Sequence, residues 1–130
     1  MKSENMKQRK LYGVPMIPFG LLVGFVGKKE VRITELSEEG FAFRTAKKIP
    51  GSEKIRLCFY DLKKTDYEEM TIQTPEIEEG DAEPFFQNYI VWMEQVGERE
   101  QYQELVRKLL GQYSHYIQLK LTEDDSGVAA

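Results

Sequence analysis

The chain has 130 residues, a formal net charge of −4, 41% hydrophobic residues and 31% charged residues. This composition suits one soluble domain and excludes a disordered chain. The only cysteine is Cys58 and the only histidine is His115. These counts exclude an internal disulfide and a zinc site of cysteines and histidines, and they fit a cytoplasmic location. No segment is typical of a secretory signal or a membrane span.

Residues 1–10 are polar and carry a cluster of basic side chains, so we expect a flexible basic arm. Prolines and glycines between Leu11 and Gly20 favour extended, turning chain over a helix. The folded domain is predicted to span 11–121, and the mostly polar residues 122–130 are predicted to form a tail.

Alternation of apolar and polar residues predicts a series of strands. An acidic segment, 76–83, is expected to be a loop before the last strand. In that last strand Tyr89, Val91 and Met93 would share one face, although a buried helix is an alternative for this segment. The predicted strands cover 21–26, 31–34, 41–45, 55–60, 67–74 and 85–96.

The apolar period changes to that of a helix after Glu98. An amphipathic helix is predicted from there to about Lys120, with its stripe packed on the domain's own sheet rather than on a partner helix. The expected fold is therefore mainly β, a small antiparallel six-stranded barrel followed by a C-terminal helix. The stripe consists of Tyr102, Leu105, Val106, Leu109, Leu110, Tyr113, Tyr116 and Ile117.

No catalytic or cofactor site can be assembled from the sequence. Ser114 and His115 are neighbours on the predicted helix and point apart, so they do not form a nucleophile–base pair. Lys28 follows several glycines, but their spacing does not match a phosphate-binding loop. The acidic segment lacks the spacing of a calcium loop. We therefore expect a protein that is not an enzyme and needs no cofactor.

A short motif connects the second and third predicted strands. Glu35 is followed by a hydroxyl at Ser37 and a glycine at Gly40. This spacing places an acceptor and a hydroxyl at a strand end, with a glycine that lets the chain turn. An ordinary polar turn would have the same composition.

The motif resembles the Asp/Asn-x-Ser-x-x-Gly pattern of the PilZ family, with Glu35 in place of the shorter acid. Members of this bacterial family are small β-barrels, and many bind the second messenger cyclic di-GMP. They also carry Arg-x-x-x-Arg before the first strand. Here Arg9 matches the first arginine, and Gly13 stands where the second would fall.

The resemblance implies a signalling domain with a ligand site made of Arg9, Glu35, Ser37 and Gly40. The arginine would bind phosphate or guanine, and the carboxylate would accept hydrogen bonds from the guanine edge. The lost second arginine would remove a contact of about 1.5–3 kcal/mol. Lys7, Lys10 or Arg32 could replace part of it.

Three functions remain open at this point. The first is a cyclic di-GMP receptor that relays its signal to a protein partner. The second is a PilZ-like adaptor that binds a protein and no nucleotide. An exposed patch near Tyr60, Phe85 or Trp92 would support it. The third, an oligonucleotide-binding barrel, is disfavoured by the acidic net charge, so neither DNA nor RNA is expected as a partner, nor is membrane insertion.

Overall fold

The computed structural model describes Leu11 and residues 13–16, 20–49, 53–73 and 75–129, with side chains described as far as Ile117. Within these ranges the fold consists of antiparallel strands followed by one C-terminal helix, so the prediction of a mainly β fold is confirmed. The elements are β1 (Val14–Pro15), β2 (Val23–Val26), β3 (Lys29–Ser37), β4 (Gly40–Thr45), β5 (Ile55–Asp61), β6 (Asp66–Ile72), β7 (Glu76–Glu83), β8 (Phe86–Trp92) and α1 (Arg99–Ala129).

The eight strands form one open sheet in the order β6-β5-β2-β3-β4-β8-β7, and β1 pairs beside this path with β3. Among the described strands, β6 and β7 each pair with one neighbour only and are the edges of the sheet. The structure therefore differs from the predicted closed barrel of six strands. The two additional strands are β1, in the proline-rich segment, and β7.

The acidic segment is a strand rather than the predicted loop. β7 pairs with β8 from Glu76 opposite Trp92 to Glu83 opposite Phe86, and a two-residue turn joins the two strands. Every residue of β7 is exposed or half-buried, so the strand lacks the apolar alternation that signals a buried face. Acidic side chains and an irregular register are common at sheet edges, where they discourage pairing with other chains.

The core lies between one face of the sheet and α1. In β5, Ile55, Leu57 and Phe59 are buried, as the alternation predicts. In β8, Tyr89 and Val91 are buried on the predicted face, and the assignment of this segment as a strand rather than a helix is confirmed. We call the opposite face of the sheet its outer face.

The helix α1 packs its apolar stripe into this core, as predicted. Tyr116 is the exception, because 41% of it is exposed. His115 is exposed, which agrees with the expectation of a surface histidine. The helical backbone continues to Ala129 and so includes most of the segment 122–130 that was predicted to be a tail. Each residue added to an established helix gains a backbone hydrogen bond, so a polar composition alone does not end it.

The first half of α1 is fixed to the sheet by polar contacts. Near its middle, the Gln112 side chain accepts a hydrogen bond from the Leu62 amide at 2.7 Å and donates one to the buried Asp61 carboxylate at 2.8 Å. Lys108 pairs with Glu68 on β6 at 2.8 Å. These contacts fix the helix against the β5–β6 hairpin.

Gly40 lies where the backbones of β4 and β8 approach closely. A Cβ atom at this position would be 2.1 Å from the carbonyl oxygen of Val91. This distance is far below any van der Waals contact, and the obstacle is main chain that cannot rotate away. Packing between two strands is therefore enough to require glycine at this position.

We predict that Gly40→Ala lowers the free energy of unfolding by about 1–3 kcal/mol, since the strands must separate to admit the methyl group. Gly111→Ala is the matched control, because Gly111 lies in α1 and a Cβ there meets nothing within 4 Å. That control should raise stability by roughly 0.5–1 kcal/mol, the helix-propensity difference. Urea denaturation measures both, and a tolerated Gly40→Ala would contradict the close approach.

Candidate functional site

A bulge in β3 decides which of its side chains face outward. Ile33 pairs with Phe43 and Glu35 with Ala42, so β3 contains one extra residue between these pairs, at Thr34. The Thr34 carbonyl accepts a hydrogen bond from the Met16 amide at 2.9 Å. Because of the extra residue, Glu35 leaves the core face while Leu36 is fully buried.

The hydroxyl of Ser37 has a structural role in the turn after β3. Its hydroxyl accepts a hydrogen bond from the Glu39 amide at 3.1 Å and donates to the Gly40 carbonyl at 3.3 Å. These are the contacts of an ordinary hydroxyl-stabilised turn. Ser37 and Gly40 thus each have a structural role, and contact of either with a ligand stays a prediction.

Tyr102 on α1 fastens this turn to the core. Its hydroxyl lies 2.5 Å from the Ser37 carbonyl oxygen and 2.7 Å from the Gly40 carbonyl oxygen, so its single proton serves two acceptors. Burial raises the pKa of Tyr102 far above its usual range, which keeps the hydroxyl protonated. Arg107 adds an ion pair to Glu38 in the same turn at 2.9 Å. The turn that carries the motif is therefore held by the helix.

We expect Tyr102→Phe to lower the free energy of unfolding by about 1–3 kcal/mol, because it leaves two carbonyl oxygens near the core without this donor. The matched control is Tyr67→Phe, since Tyr67 is 65% exposed and loses only a solvated hydroxyl. Denaturant titration of both variants tests the difference. Equal effects of the two substitutions would show that the Tyr102 hydroxyl contributes little.

Glu35 is a half-buried carboxylate on the outer face. It lies between Pro15 of β1 and Ala42 of β4 in the sheet register. Within the described part of the chain its carboxylate forms no ion pair or hydrogen bond. Burial raises the pKa of Glu35 above its usual value of 4.5. An acceptor group here is thus partly desolvated and unsatisfied by the described residues.

Because its pKa is raised by burial, the ionised form of Glu35 destabilises the folded protein. The folded protein binds more protons than the unfolded chain between pH 4.5 and the raised pKa, so the free energy of unfolding falls as pH rises through this window. We predict that Glu35→Gln is more stable than the parent protein at pH 7. Its advantage should shrink as pH is lowered through the window.

Urea denaturation at pH 7 and at pH 4 tests this prediction, with Glu39→Gln in the adjoining exposed turn as the control. The control should show no comparable stabilisation at pH 7. A Glu35→Gln protein that is less stable than the parent at pH 7 would mean that the carboxylate has a stabilising cation outside the described residues.

A cleft on the outer face brings cationic side chains together. Arg32 of β3 and Arg44 of β4 are direct cross-strand partners, and both line an open cleft of about 630 Å³. Lys29, Glu30 and Phe86 also line it, together with buried core residues such as Val31 and Ile33. Like charges placed opposite each other destabilise a sheet unless a counter-charge is present. The arrangement is therefore suited to binding an anion.

The two arginines differ in their surroundings. Arg44 donates from Nε to the Asn88 side chain at 3.2 Å and forms an ion pair with Glu83 at 3.2 Å. Its guanidinium carbon lies 5.0 Å from the centre of the Phe86 ring. Arg32 is exposed and has no ion-pair partner among the described residues. One arginine is thus held in place, and the other is open to solvent.

The residues that line the cleft are mostly different from the residues of the predicted ligand site. Arg32, named as a substitute cation, lines the cleft, whereas Glu35 lies further along the outer face of the same strand and outside the cleft lining. Arg9, Lys7 and Lys10 lie outside the described residues. The roles of Arg44 and Phe86 were missed, because only the strand register shows that they face Arg32.

Comparison with known proteins gives the fold alone. The chain resembles the crystal structure of the uncharacterized Legionella protein Lpg0364, with a TM-score of 0.55 and 15% sequence identity over 74% of this chain and 92% of that chain. No family model matches the sequence, and no curated protein does. Among the described residues, no helix is both long enough and apolar enough to cross a bilayer.

Proposed function

We propose that the protein is a PilZ-like signalling domain that binds a phosphate-bearing nucleotide in the outer-face cleft, with cyclic di-GMP as the first candidate. The observation that carries the proposal is the direct opposition of Arg32 and Arg44 in that cleft. The mainly antiparallel fold with a C-terminal helix agrees with the family resemblance, and the open eight-stranded sheet departs from the family's closed barrel.

The lining of the cleft matches the chemistry of such a ligand. Arginine binds phosphate oxygens through a planar fork of N–H donors, and two arginines on adjacent strands suit two phosphates or one doubly charged group. Phe86 offers a ring on which a base stacks. A volume of about 630 Å³ lies within the range of small-molecule sites.

The residues of the predicted site would contact the same ligand or support the hairpin that carries the cleft. Glu35 lies on the same strand as Arg32 and on the same outer face, where its carboxylate would accept hydrogen bonds from the guanine edge. Arg32 takes over the phosphate contact that Gly13 cannot supply, and Arg9 would add a further one. Ser37 and Gly40 contribute by holding the hairpin in shape.

Isothermal titration calorimetry of the full chain with cyclic di-GMP tests the proposal. We expect measurable binding that Arg32→Ala weakens about ten- to a hundredfold, the usual effect of losing one charge-assisted contact. Arg9→Ala is titrated as well and should weaken binding if the basic arm takes part. Arg99→Ala is the matched control, because Arg99 is exposed at the start of α1 and away from the cleft lining.

The outcomes separate the hypotheses. Binding that Arg32→Ala and Arg99→Ala weaken equally would reflect general charge and not this cleft. Absence of heat at high ligand concentration would exclude the receptor and favour the protein adaptor. GTP at the same concentration serves as a competitor that tests whether the dinucleotide itself is recognised.

One observation favours the adaptor as a second candidate. Tyr60 and Tyr67 form an edge-to-face pair on the β5–β6 hairpin, with ring centres 5.2 Å apart, and Leu62 beside them is half exposed. Exposed aromatic and aliphatic side chains of this kind are common in protein interfaces. Of the other residues in the predicted patch, Phe85 is exposed at the far edge of the sheet and Trp92 is buried.

A further inference from the structure

One arginine of the cationic cleft is already paired with a carboxylate from outside the cleft lining. Glu83, at the end of β7, contacts Arg44 through Oε2 at 3.2 Å. The same oxygen accepts a hydrogen bond from the Asn88 side chain at 2.7 Å. Glu83 and Arg44 lie on strands that are not neighbours, since β8 separates β4 from β7. The pair therefore spans three strands of the outer face.

Arg44 does not depend on Glu83 alone for its position. Asn88 accepts the Arg44 Nε–H at 3.2 Å, and the guanidinium lies over the Phe86 ring. Asn88 is itself fixed, because its amide nitrogen also donates to the Asp81 carbonyl at 2.7 Å. Removal of the negative charge at Glu83 would therefore leave the arginine oriented and no longer neutralised.

We infer that Glu83 is a built-in competitor of the anionic ligand. This inference rests on the proposed function and adds the regulation of its site. The Glu83 carboxylate takes the place at Arg44 that a phosphate of the ligand would take. Binding then requires the ligand to displace Glu83, and the affinity of the cleft is set by this exchange. Arg32, which has no ion pair among the described residues, is available for the first contact.

Arg44 and Glu83 are exposed enough for a ligand to separate them. The side chains of Arg44 and Glu83 are 29% and 41% exposed, so both reach water and neither is locked in the core. An ion pair at this level of exposure contributes little to stability. A ligand phosphate that engages both Arg44 and Arg32 makes two such contacts and can replace it.

The experiment measures the affinity for cyclic di-GMP of Glu83→Gln, which keeps an oxygen acceptor for Arg44 and Asn88 but removes the charge. We expect binding about two- to fivefold tighter than in the parent protein, the fold-change that corresponds to a partly exposed ion pair. Glu79→Gln is the matched control, because it makes the same charge change on the same strand, and the one ion pair of Glu79 among the described residues is with Lys48 at 4.0 Å.

A double-mutant cycle completes the test. In an Arg44→Ala background, Glu83→Gln should no longer tighten binding, since the arginine for which the two anions compete is absent. This dependence on Arg44 distinguishes competition from a general reduction of negative charge. Pyrophosphate is titrated in parallel, as a probe that carries the phosphates without the bases.

Tighter binding by Glu83→Gln than by Glu79→Gln, lost in the Arg44→Ala background, supports the competitor. Equal affinities of the two glutamine variants, or weaker binding by Glu83→Gln, overturn the inference while the receptor stands. Absence of binding of both probes to the parent and to every variant overturns the receptor and the competitor together.

Discussion

The extra residue in β3 at Thr34 controls both faces of the central hairpin. Counted from the Ser37–Gly40 turn, regular pairing would place Arg32 opposite Thr45 and Arg44 opposite Ile33. The bulge shifts the register by one residue, so that Ile33 meets Phe43 in the core and the two arginines meet on the outer face. Without the bulge, either the arginines would be separated or an apolar residue would leave the core, because side chains alternate strictly along a regular strand.

The register that the bulge creates has an electrostatic cost. Two arginines in direct cross-strand opposition repel each other, and the repulsion is relieved on one side only, where Glu83, Asn88 and Phe86 surround Arg44. The core does not depend on this pair, since both arginines lie on the outer face of the hairpin. The proposed anion site would relieve this repulsion, because an anion from solution would supply the missing counter-charge.

Most of the fold could be predicted from the sequence, because its strands alternate clearly. β4 and β5 each bury alternate apolar residues, and the stripe of α1 follows a helical period as far as Ile117. The prediction of strands was wrong for β7, which has no apolar face. β7 carries charged residues on a sheet edge and has no buried side of its own, so its composition resembles a loop. Closure of the sheet also could not be judged, since it depends on pairing between strands that are distant in sequence.

The site was less predictable than the fold, for a physical reason. The motif at Glu35, Ser37 and Gly40 was visible because it is contiguous, yet the hydroxyl and the glycine are accounted for by the turn and by the carbonyl of Val91. The cationic pair was invisible because its members lie on two strands whose register depends on a bulge. A one-residue insertion leaves no mark in composition, although it determines which residues become neighbours across the sheet.

The two hairpins that meet at Arg44 and Glu83 differ in how many of their contacts tie them to the rest of the molecule. Arg32 and Arg44 lie on the β3–β4 hairpin, which Tyr102 and Arg107 of α1 fix at its turn. Glu83 and Phe86 lie on the β7–β8 hairpin, and β7 has no fully buried residue. Local opening costs least where few side chains are buried. The two arginines thus lie on the better-supported hairpin and Glu83 on the less supported sheet edge, so the proposed exchange of anions at Arg44 would need movement of that edge only, while the core stays packed.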